Sequence, residues 1–238
     1  MKKILSVLIS LLLLVVAVIL TLGISLLINY IQYQLFVPND YLLWTFNSPG
    51  MILIVVLEIY LIFGLFYLFR KDFRNTIKRN FLNHIFIKRY KKFVISLFLG
   101  LNLFLLYVTL TGVTVITSDK IIDHSFIQPQ GQEFTYEDIV KIEARVHGGK
   151  SFIPFTHSRG EFLYRLELNN GRKIYLNEVG AVQDSEHEVF VIEDIDRELV
   201  NRGIPKTSSM ENFELTTEDL AKVYTDSIQR ILKNTTSE

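Results

Sequence analysis

Between two strongly apolar segments lies the stretch RKDFRNTIKRNFLNHIFIKRYKK, residues 70–92, which carries nine Lys or Arg residues against one acidic residue, Asp72. The apolar segments on either side, residues 51–69 and 93–111, each approach the ~20 residues with which a helix crosses a hydrocarbon core of ~30 Å. Residues 4–28 form a third segment of this kind and contain no charge. The sequence therefore predicts three transmembrane helices, with a basic loop between the second and the third.

The composition of the whole chain agrees with a membrane protein. Hydrophobic residues make up 49% of the 238 residues and the mean hydropathy is +0.28, which is high for a soluble protein. The first apolar segment follows Lys2 and Lys3 and is about twice as long as the core of a signal peptide, so we interpret it as an uncleaved anchor. Cysteine is absent, which excludes disulfides and thiolate metal sites and suits a bacterial cell envelope.

The distribution of Lys and Arg predicts the orientation of the chain. Residues 29–50 contain none, whereas residues 70–92 contain nine, and short basic loops stay in the cytoplasm. We therefore expect a multi-pass protein of the bacterial plasma membrane, with a cytoplasmic N terminus and an extracytoplasmic C-terminal domain. Residues 119–238 agree, with 14 Lys or Arg against 22 Asp or Glu. The expected domains are a membrane domain, residues 1–111, and a second domain, residues 112–238.

The loop of residues 29–50 is rich in aromatic side chains. It contains Tyr30, Tyr33, Phe36, Tyr41, Trp44 and Phe46. Amphipathic rings settle at the level of the lipid headgroups, so we expect an interfacial belt here, and a protein-binding surface is the alternative.

Glu58 is the one ionisable residue inside a predicted span. A charge at mid-depth costs about 2–3 kcal/mol, so we expect Glu58 to face protein or to be protonated. Asn102 lies at a similar depth in the third span, since both are roughly 15–18 Å from the basic loop at 1.5 Å per residue. A Glu58–Asn102 hydrogen bond would join the second and third spans, and a proton or cation relay is the alternative.

The start of the C-terminal domain is rich in strand-forming residues. Residues 112–126 contain a turn signal at Ser118-Asp119. Thr135 and Asp138 form a capping pattern that permits one helical turn, after which a strand runs through Ile142.

Residues 161–178 are the clearest hairpin in the chain. A two-residue turn at Asn170-Gly171 would split the apolar side chains between the two faces of the sheet. A three-residue loop, residues 169–171, instead pairs Leu166 with Ile174 and gives Gly171 a positive φ in a bulge. We choose the three-residue loop.

Two helices are predicted after the hairpin. Ser185 and Glu188 form a capping box, and Gly203 marks the end of the first helix. A second amphipathic helix covers residues 216–233. The expected fold is thus a three-helix transmembrane region followed by an α+β domain, in which a bent antiparallel sheet is capped by a helix and one extra C-terminal helix follows.

The order of these elements resembles a known family. The turn segment ITSDKIIDH, the element FTYEDIVKIEA, the hairpin LYRLELNNGRKIYL and a closing helix that ends in LVNRGIP follow one another over residues 112–205. This order is similar to that of the pleckstrin-homology-like domains of bacterial membrane proteins. The resemblance implies a strongly bent sheet, or partial barrel, closed at one end by a helix. It also implies a fold like that of lipid- and peptide-binding modules, with no catalytic residue to carry over.

One loop of this domain, residues 146–162, is the candidate ligand-binding site. It combines an apolar tip with basic and imidazole side chains, and the candidate residues are His147, Lys150, Phe152, Phe155, His157 and Arg159. Such a tip can enter lipid while basic side chains meet phosphates, or it can receive a peptide or a partner helix. An apolar loop folded back over the end of the sheet is the structural alternative.

Motifs for catalysis and cofactors are not found in the sequence. It contains no glycine-rich phosphate loop, no Gly-x-Ser-x-Gly elbow and no His-Glu-x-x-His pair. The histidines lack the spacing of a metal site, and the basic loop is explained by membrane topology without nucleic acid. We therefore expect no catalytic residue, metal, cofactor or nucleic-acid partner.

Three functions remain as hypotheses. The first is an extracytoplasmic binding or sensing module for lipid, envelope polymer or a protein partner. The second is an accessory subunit of a membrane protein complex, and the third is an enzyme of unrecognised type. In each case the lipid bilayer is a partner, and a protein partner in the membrane or envelope is expected for the first two.

Overall fold

The structure is a computed structural model that describes residues 2–47, 49–82, 89–149, 159–177, 179–183 and 187–235. The chain divides into two compact units. Unit 1 comprises Met1–Tyr33 and Pro49–Leu110, and unit 2 comprises Gln34–Ser48 and Thr111–Glu238. Unit 2 is therefore discontinuous in sequence, because its first segment precedes most of unit 1.

The helices of unit 1 are long and apolar. They are α1 (Lys2–Phe36), α2 (Pro49–Phe69), α3 (Lys71–Ile77), which continues as a π-helical turn (Lys78–Leu82), and α4 (Lys91–Thr111). Arg70, directly after α2, donates through Nη1 to Ser6 O and Ser10 Oγ of α1, each at 2.7 Å. Near the other end of α1, Gln32 Nε2 donates to Thr109 O of α4 at 2.8 Å. These contacts show that α1 runs antiparallel to α2 and parallel to α4.

Two helices in the described part of the chain are long and apolar enough to cross a membrane. They are Ile4–Phe36 and Lys91–Thr111. In α2, the stretch whose side chains are described, Val55–Phe69, is shorter than these two helices. The prediction of three transmembrane helices is therefore wrong, since two candidate spans are found.

Unit 2 contains two sheets. In chain order the strands are β1 (Tyr41–Phe46), β2 (Val113–Thr117), β3 (Lys120–Asp123), β4 (Gln132–Thr135), β5 (Ile139–Val146), β6 (Phe162–Leu168), β7 (Lys173–Tyr175), β8 (Val179–Val182) and β9 (Lys206–Ser208). One sheet has the order β4-β3-β2-β1-β8 and the other β7-β6-β5-β9. All pairs are antiparallel except β5 with β9.

The predicted single bent antiparallel sheet is thus also wrong. Buried side chains from both sheets and from two helices form one core, which includes Leu43, Ile116, Ile142, Leu166, Leu199 and Ile231. The difference arises from β1 and β9. The first comes from a segment that the sequence reading assigned to a membrane loop, and the second is a three-residue strand in a polar stretch.

Trp44 shows why the interfacial belt is the wrong interpretation of this part of the 29–50 loop. It lies on β1, pairs with Val115 and Ala181 on the neighbouring strands, and is 0% exposed. A Cβ on Gly180 of β8 would lie 2.5 Å from its indole ring, so the ring packs directly on glycine backbone. The side chain is a core residue of unit 2.

Several local predictions are confirmed. The β6–β7 hairpin pairs Leu166 with Ile174 across a three-residue loop, and Gly171 has φ +81°. Ser118-Asp119 forms the turn between β2 and β3. Thr135 and Asp138 form a capping box at a 3-10 turn (Tyr136–Asp138).

Three helices complete unit 2. They are α5 (Glu188–Asn201), α6 (Phe213–Asp219) and α7 (Lys222–Lys233). The cap of α5 is His187, and the predicted cap Ser185 lies outside the described residues. The single helix predicted for residues 216–233 is two helices, because Leu220 adopts an extended conformation, with φ −113° and ψ 145°.

Candidate functional site

The loop predicted to bind a ligand, residues 146–162, is described at its two ends. Outside the described residues lie Lys150, Phe152, Phe155 and His157. His147 N donates to Glu161 O at 2.9 Å, and Gly160 N donates to His147 O at 2.8 Å. These bonds extend the β5–β6 ladder to the base of the loop and fix the position from which Arg159 extends.

Arg159 lines a groove of about 280 Å³ on unit 2. The floor of the groove is apolar and consists of Phe162, Val189, Ile192, Leu220 and Ile228. The rim is polar and consists of Arg159, Glu161, Asn177, His187 and Glu188, with the backbone of Gly160. We call this feature the α5–α7 groove, after the helices on either side of it.

His187 holds the two helices together at one end of the groove. Its Nδ1 accepts a hydrogen bond from Val189 N at 3.4 Å, and its ring stacks on Tyr224 of α7 with 3.9 Å between centroids. Because Nδ1 accepts, the neutral ring carries its proton on Nε2, which can donate a hydrogen bond. The imidazole is therefore both a helix cap and a donor at the rim.

Asn177 supplies an acceptor on the rim. Its Nδ2 donates to Glu161 Oε1 at 3.0 Å. Its Oδ1 is buried and has no hydrogen-bond partner among the described residues. Buried polar atoms are almost always paired, so this oxygen is a suitable acceptor for a donor of a bound ligand.

An ion pair fixes α7 against α5 beneath the groove. Arg230 of α7 donates to both carboxylate oxygens of Glu193, at 2.6 and 2.9 Å, and Ser227 also donates to that carboxylate. These hydrogen bonds, that of Arg230 first, hold the pKa of Glu193 below its usual value. The pairing joins α7 to α5, and Ile228 of α7 lies on the groove floor.

A second polar group is enclosed behind α5. Lys206 Nζ lies 2.5 Å from Asp196 Oδ1 and donates to Ile231 O at 2.5 Å, and the two charged side chains are 0% and 1% exposed. Tyr164 and Asn234 also donate to Asp196, at 2.9 and 2.8 Å. Burial lowers the pKa of Lys206, against the effect of Asp196, and raises that of Tyr164. The network joins β6, α5, β9 and the end of α7, and it supports the groove from below.

The predicted intramembrane pair is not joined in the structure. Asn102 Nδ2 donates to Phe98 O, one turn earlier in α4, at 2.7 Å. Asn102 lines a mostly apolar cavity of about 120 Å³ among α1, α2 and α4, whose lining does not include Glu58. No hydrogen bond links Glu58 to Asn102, although both residues are described.

The rim of the α5–α7 groove carries both charged and neutral polar side chains. In the described parts of the chain, no group of three or more His, Cys, Asp or Glu residues is placed to hold a metal ion. On the rim, Glu161 is bonded to Asn177 and His187 caps α5. Hydrogen-bond donors and acceptors, some on positively and some on negatively charged side chains, therefore surround an apolar floor.

Sequence reasoning identified Arg159 but missed most of the groove. Asn177, His187 and Leu220 come from separate segments, and neither their spacing nor their type marks them. The one available signal was the apolar stripes of the predicted helices, which contain Val189, Ile192 and Ile228.

Comparison with family models, curated proteins and solved structures gives no match to the chain. The resemblance of residues 112–205 to pleckstrin-homology-like domains therefore stays a prediction. What the protein does has to be inferred from the groove and from the apolar helices.

Proposed function

We propose that the chain is a membrane-anchored binding protein, and that its α5–α7 groove receives an apolar side chain from an extracytoplasmic segment of a partner protein. The observation that carries this proposal is the combination of an apolar floor with a rim of both charges. An extended peptide offers the matching groups, since its side chain is apolar and its backbone both donates and accepts hydrogen bonds.

The size of the groove supports a peptide side chain rather than a whole small molecule. Its volume of about 280 Å³ lies below the roughly 300–1,000 Å³ of most small-molecule pockets. Interfaces between proteins commonly concentrate their affinity in one or two anchors that enter such depressions. The rim carries both charges, with Arg159, Glu161 and Glu188 in the same lining, and this fits the N–H and C=O groups of a peptide backbone better than an anionic headgroup.

The membrane part of the proposal rests on α1 and α4. In the most apolar stretch of 18 residues in each helix, only 17% of the residues of α1 and 6% of those of α4 are buried inside the structure. Helices of this composition that face outward along their length are stable in lipid and unstable in water. The concentration of Lys and Arg in residues 70–92 supports a cytoplasmic location for that segment and an extracytoplasmic location for unit 2.

A site-specific crosslinker tests the groove. Leu220 is partly exposed on the groove floor, so a photoreactive phenylalanine derivative in place of Leu220 would contact a bound segment directly. We expect ultraviolet irradiation of intact cells to give one discrete protein adduct, and mass spectrometry to place the crosslink on an apolar residue of the partner. Arg159→Ala should reduce the adduct, since it removes a donor from the rim.

The same crosslinker at Val223 is the matched control. Val223 is exposed on α7 but does not line the groove, so it should give no such adduct. An adduct to lipid at Leu220, an equal protein adduct from Val223, or no adduct at either position would each contradict the proposed partner.

A further inference from the structure

The β3–β4 loop, residues 124–131, carries the most exposed large apolar side chain in the described part of the chain. Ile127 is 75% exposed and the neighbouring Phe126 is 44% exposed. Exposed aliphatic and aromatic groups side by side are costly in water, because each Å² of apolar surface contributes about 25 cal/mol when it is buried. Neither residue lines the α5–α7 groove, so that groove does not account for them.

The loop is an ordered turn rather than a loose connection. Ser125 N donates to Gln128 O at 3.2 Å, and Gln128 N donates to Ser125 Oγ at 3.1 Å. Gly131 N donates to Gln128 O at 3.1 Å. Ile127 is therefore held at the tip of a closed turn, and its exposure is built into the fold.

The base of the loop contacts each segment by which the chain enters or leaves unit 2. The ring of His124 lies 4.8 Å from that of Phe36, the last residue of α1. Asn47, two residues before α2, donates through Nδ2 to His124 O at 2.8 Å. His124 N donates to the carbonyl of Val113, two residues after α4, at 2.8 Å. The loop thus lies on the edge of unit 2 from which the apolar helices continue.

The length of α4 gives the expected depth of this edge. Its 21 residues span about 32 Å at 1.5 Å per residue, close to the thickness of the hydrocarbon core. If α4 crosses the bilayer, its last residue lies at the headgroup level, and the edge of unit 2 that begins at Val113 lies there too. Apolar side chains on that edge are within reach of the acyl chains.

We propose that Phe126 and Ile127 insert into the adjacent lipid leaflet and hold this edge of unit 2 against the bilayer. The surface they recognise is the interfacial region of the membrane, where apolar and aromatic side chains bury part of their area. This inference rests on the membrane association in the proposed function but does not depend on the α5–α7 groove.

Fluorescence quenching in bilayers tests the insertion. Because the natural chain has no cysteine, Ile127→Cys gives a single attachment point for an environment-sensitive fluorophore in the full-length protein. In nanodiscs of phosphatidylcholine and phosphatidylglycerol we expect a blue-shifted emission that is quenched by lipids brominated near the headgroup and shielded from aqueous iodide. Val140→Cys, an exposed apolar position on β5, should show the opposite pattern.

A label at Leu14→Cys in α1 tests the membrane anchor separately from the insertion of the β3–β4 loop. Quenching of Leu14 by deeply brominated lipid without quenching of Ile127 would leave the membrane anchor in place and overturn the insertion of the loop. If Leu14 is not quenched either, the membrane association itself is wrong. Iodide shielding at Ile127 without lipid quenching would mean that protein covers the loop, and this outcome also overturns the inference.

Discussion

The ammonium group of Lys206 is completely enclosed, and it bonds to a side chain of α5 and to the backbone of α7. Nothing in the local sequence marks this residue as buried, since it lies beside a polar stretch. Its partner Asp196 belongs to the run Glu193-Asp194-Ile195-Asp196, whose acidic composition is typical of the exposed side of a helix. At the scale of single residues, the C-terminal part of unit 2 is therefore held by a charge pair whose members look like surface residues.

Lys206→Met should strongly destabilise unit 2. The substitution leaves the carboxylate of Asp196 buried with two neutral donors, Tyr164 and Asn234, and breaking a buried pair from one side costs about 3–5 kcal/mol. We expect a loss near the lower end of this range, measured by urea unfolding of the full chain in detergent.

The double variant Lys206→Met/Asp196→Leu is the control for this prediction. It removes both charges, so it should be more stable than Lys206→Met alone. A double variant that is less stable than the single one would show that the ion pair is not the source of the effect.

Gly180→Ala should destabilise the five-stranded sheet through Trp44. The new methyl group would lie 2.5 Å from the indole ring, and overpacking of this kind costs about 1–3 kcal/mol. The double variant Gly180→Ala/Trp44→Leu should lose less free energy of unfolding than the sum of the two single losses, because the smaller Leu side chain leaves space for the methyl group. Gly100→Ala, with no atom within 4 Å of the new Cβ, is the control and should not lower stability; equal losses at the two glycines would rule out the steric explanation.

At the scale of elements, the structures that the sequence predicted are those closed by local interactions. The β6–β7 hairpin and the capping box at Thr135 each need only residues close in sequence. In contrast, β1 pairs with strands about 70 and 140 residues later, and β9 joins its sheet through three residues. Their apolar pattern is short or irregular, so their pairing could not be read from the chain.

The packing of α7 on α5 should weaken in acid. The pKa of Glu193 is lowered in the folded protein, so the unfolded chain takes up the proton at a higher pH than the folded one. The contribution of the Glu193–Arg230 pair is therefore complete above the ordinary glutamate pKa of about 4.5 and is lost as the pH falls through the folded value. Glu193→Gln should cost about 1 kcal/mol at neutral pH and flatten this acid dependence in urea titrations from pH 7 to pH 3.

Glu218→Gln, at an exposed position on α6, is the matched control for the pH experiment. It should retain the stability and the acid dependence of the natural chain. If Glu193→Gln and Glu218→Gln have the same pH profile, the pair does not stabilise the packing of the two helices.

At the scale of the whole molecule, the pairing of β1 with β2 constrains any membrane topology. The two strands are hydrogen-bonded neighbours, so both ends of the segment between them, residues 47–112, lie on the same side of a bilayer. That segment therefore crosses the bilayer an even number of times or not at all. The charge distribution favours opposite sides for the basic residues 70–92 and for unit 2.

Single-cysteine labelling decides between these possibilities, since the natural chain has no cysteine. We expect Glu211→Cys in unit 2 to react with a membrane-impermeant maleimide in spheroplasts. Asn80→Cys in the π-helical turn should react only after the membrane is permeabilised. Both positions are exposed, so both should react fully in detergent. Labelling of both in intact spheroplasts, or of Asn80 alone, would refute the proposed orientation.

Only one residue of the groove rim, Arg159, was predicted from the sequence as a site residue. Arg159 was identified because its loop is unusual in composition, whereas Asn177, His187 and Leu220 become neighbours only when two sheets and two helices pack around one core. The prediction of a single sheet failed for the same reason. Long-range pairing decides both the architecture and the binding surface of unit 2.

The discontinuity of unit 2 also has a consequence for biosynthesis. β1 leaves the ribosome before either of its neighbours, and its second partner is complete only when Val182 has been made. Until then Trp44 can pair with β2 but lacks the glycine backbone of β8 on which its indole ring packs. The five-stranded sheet can therefore be completed only after most of the chain has been synthesised.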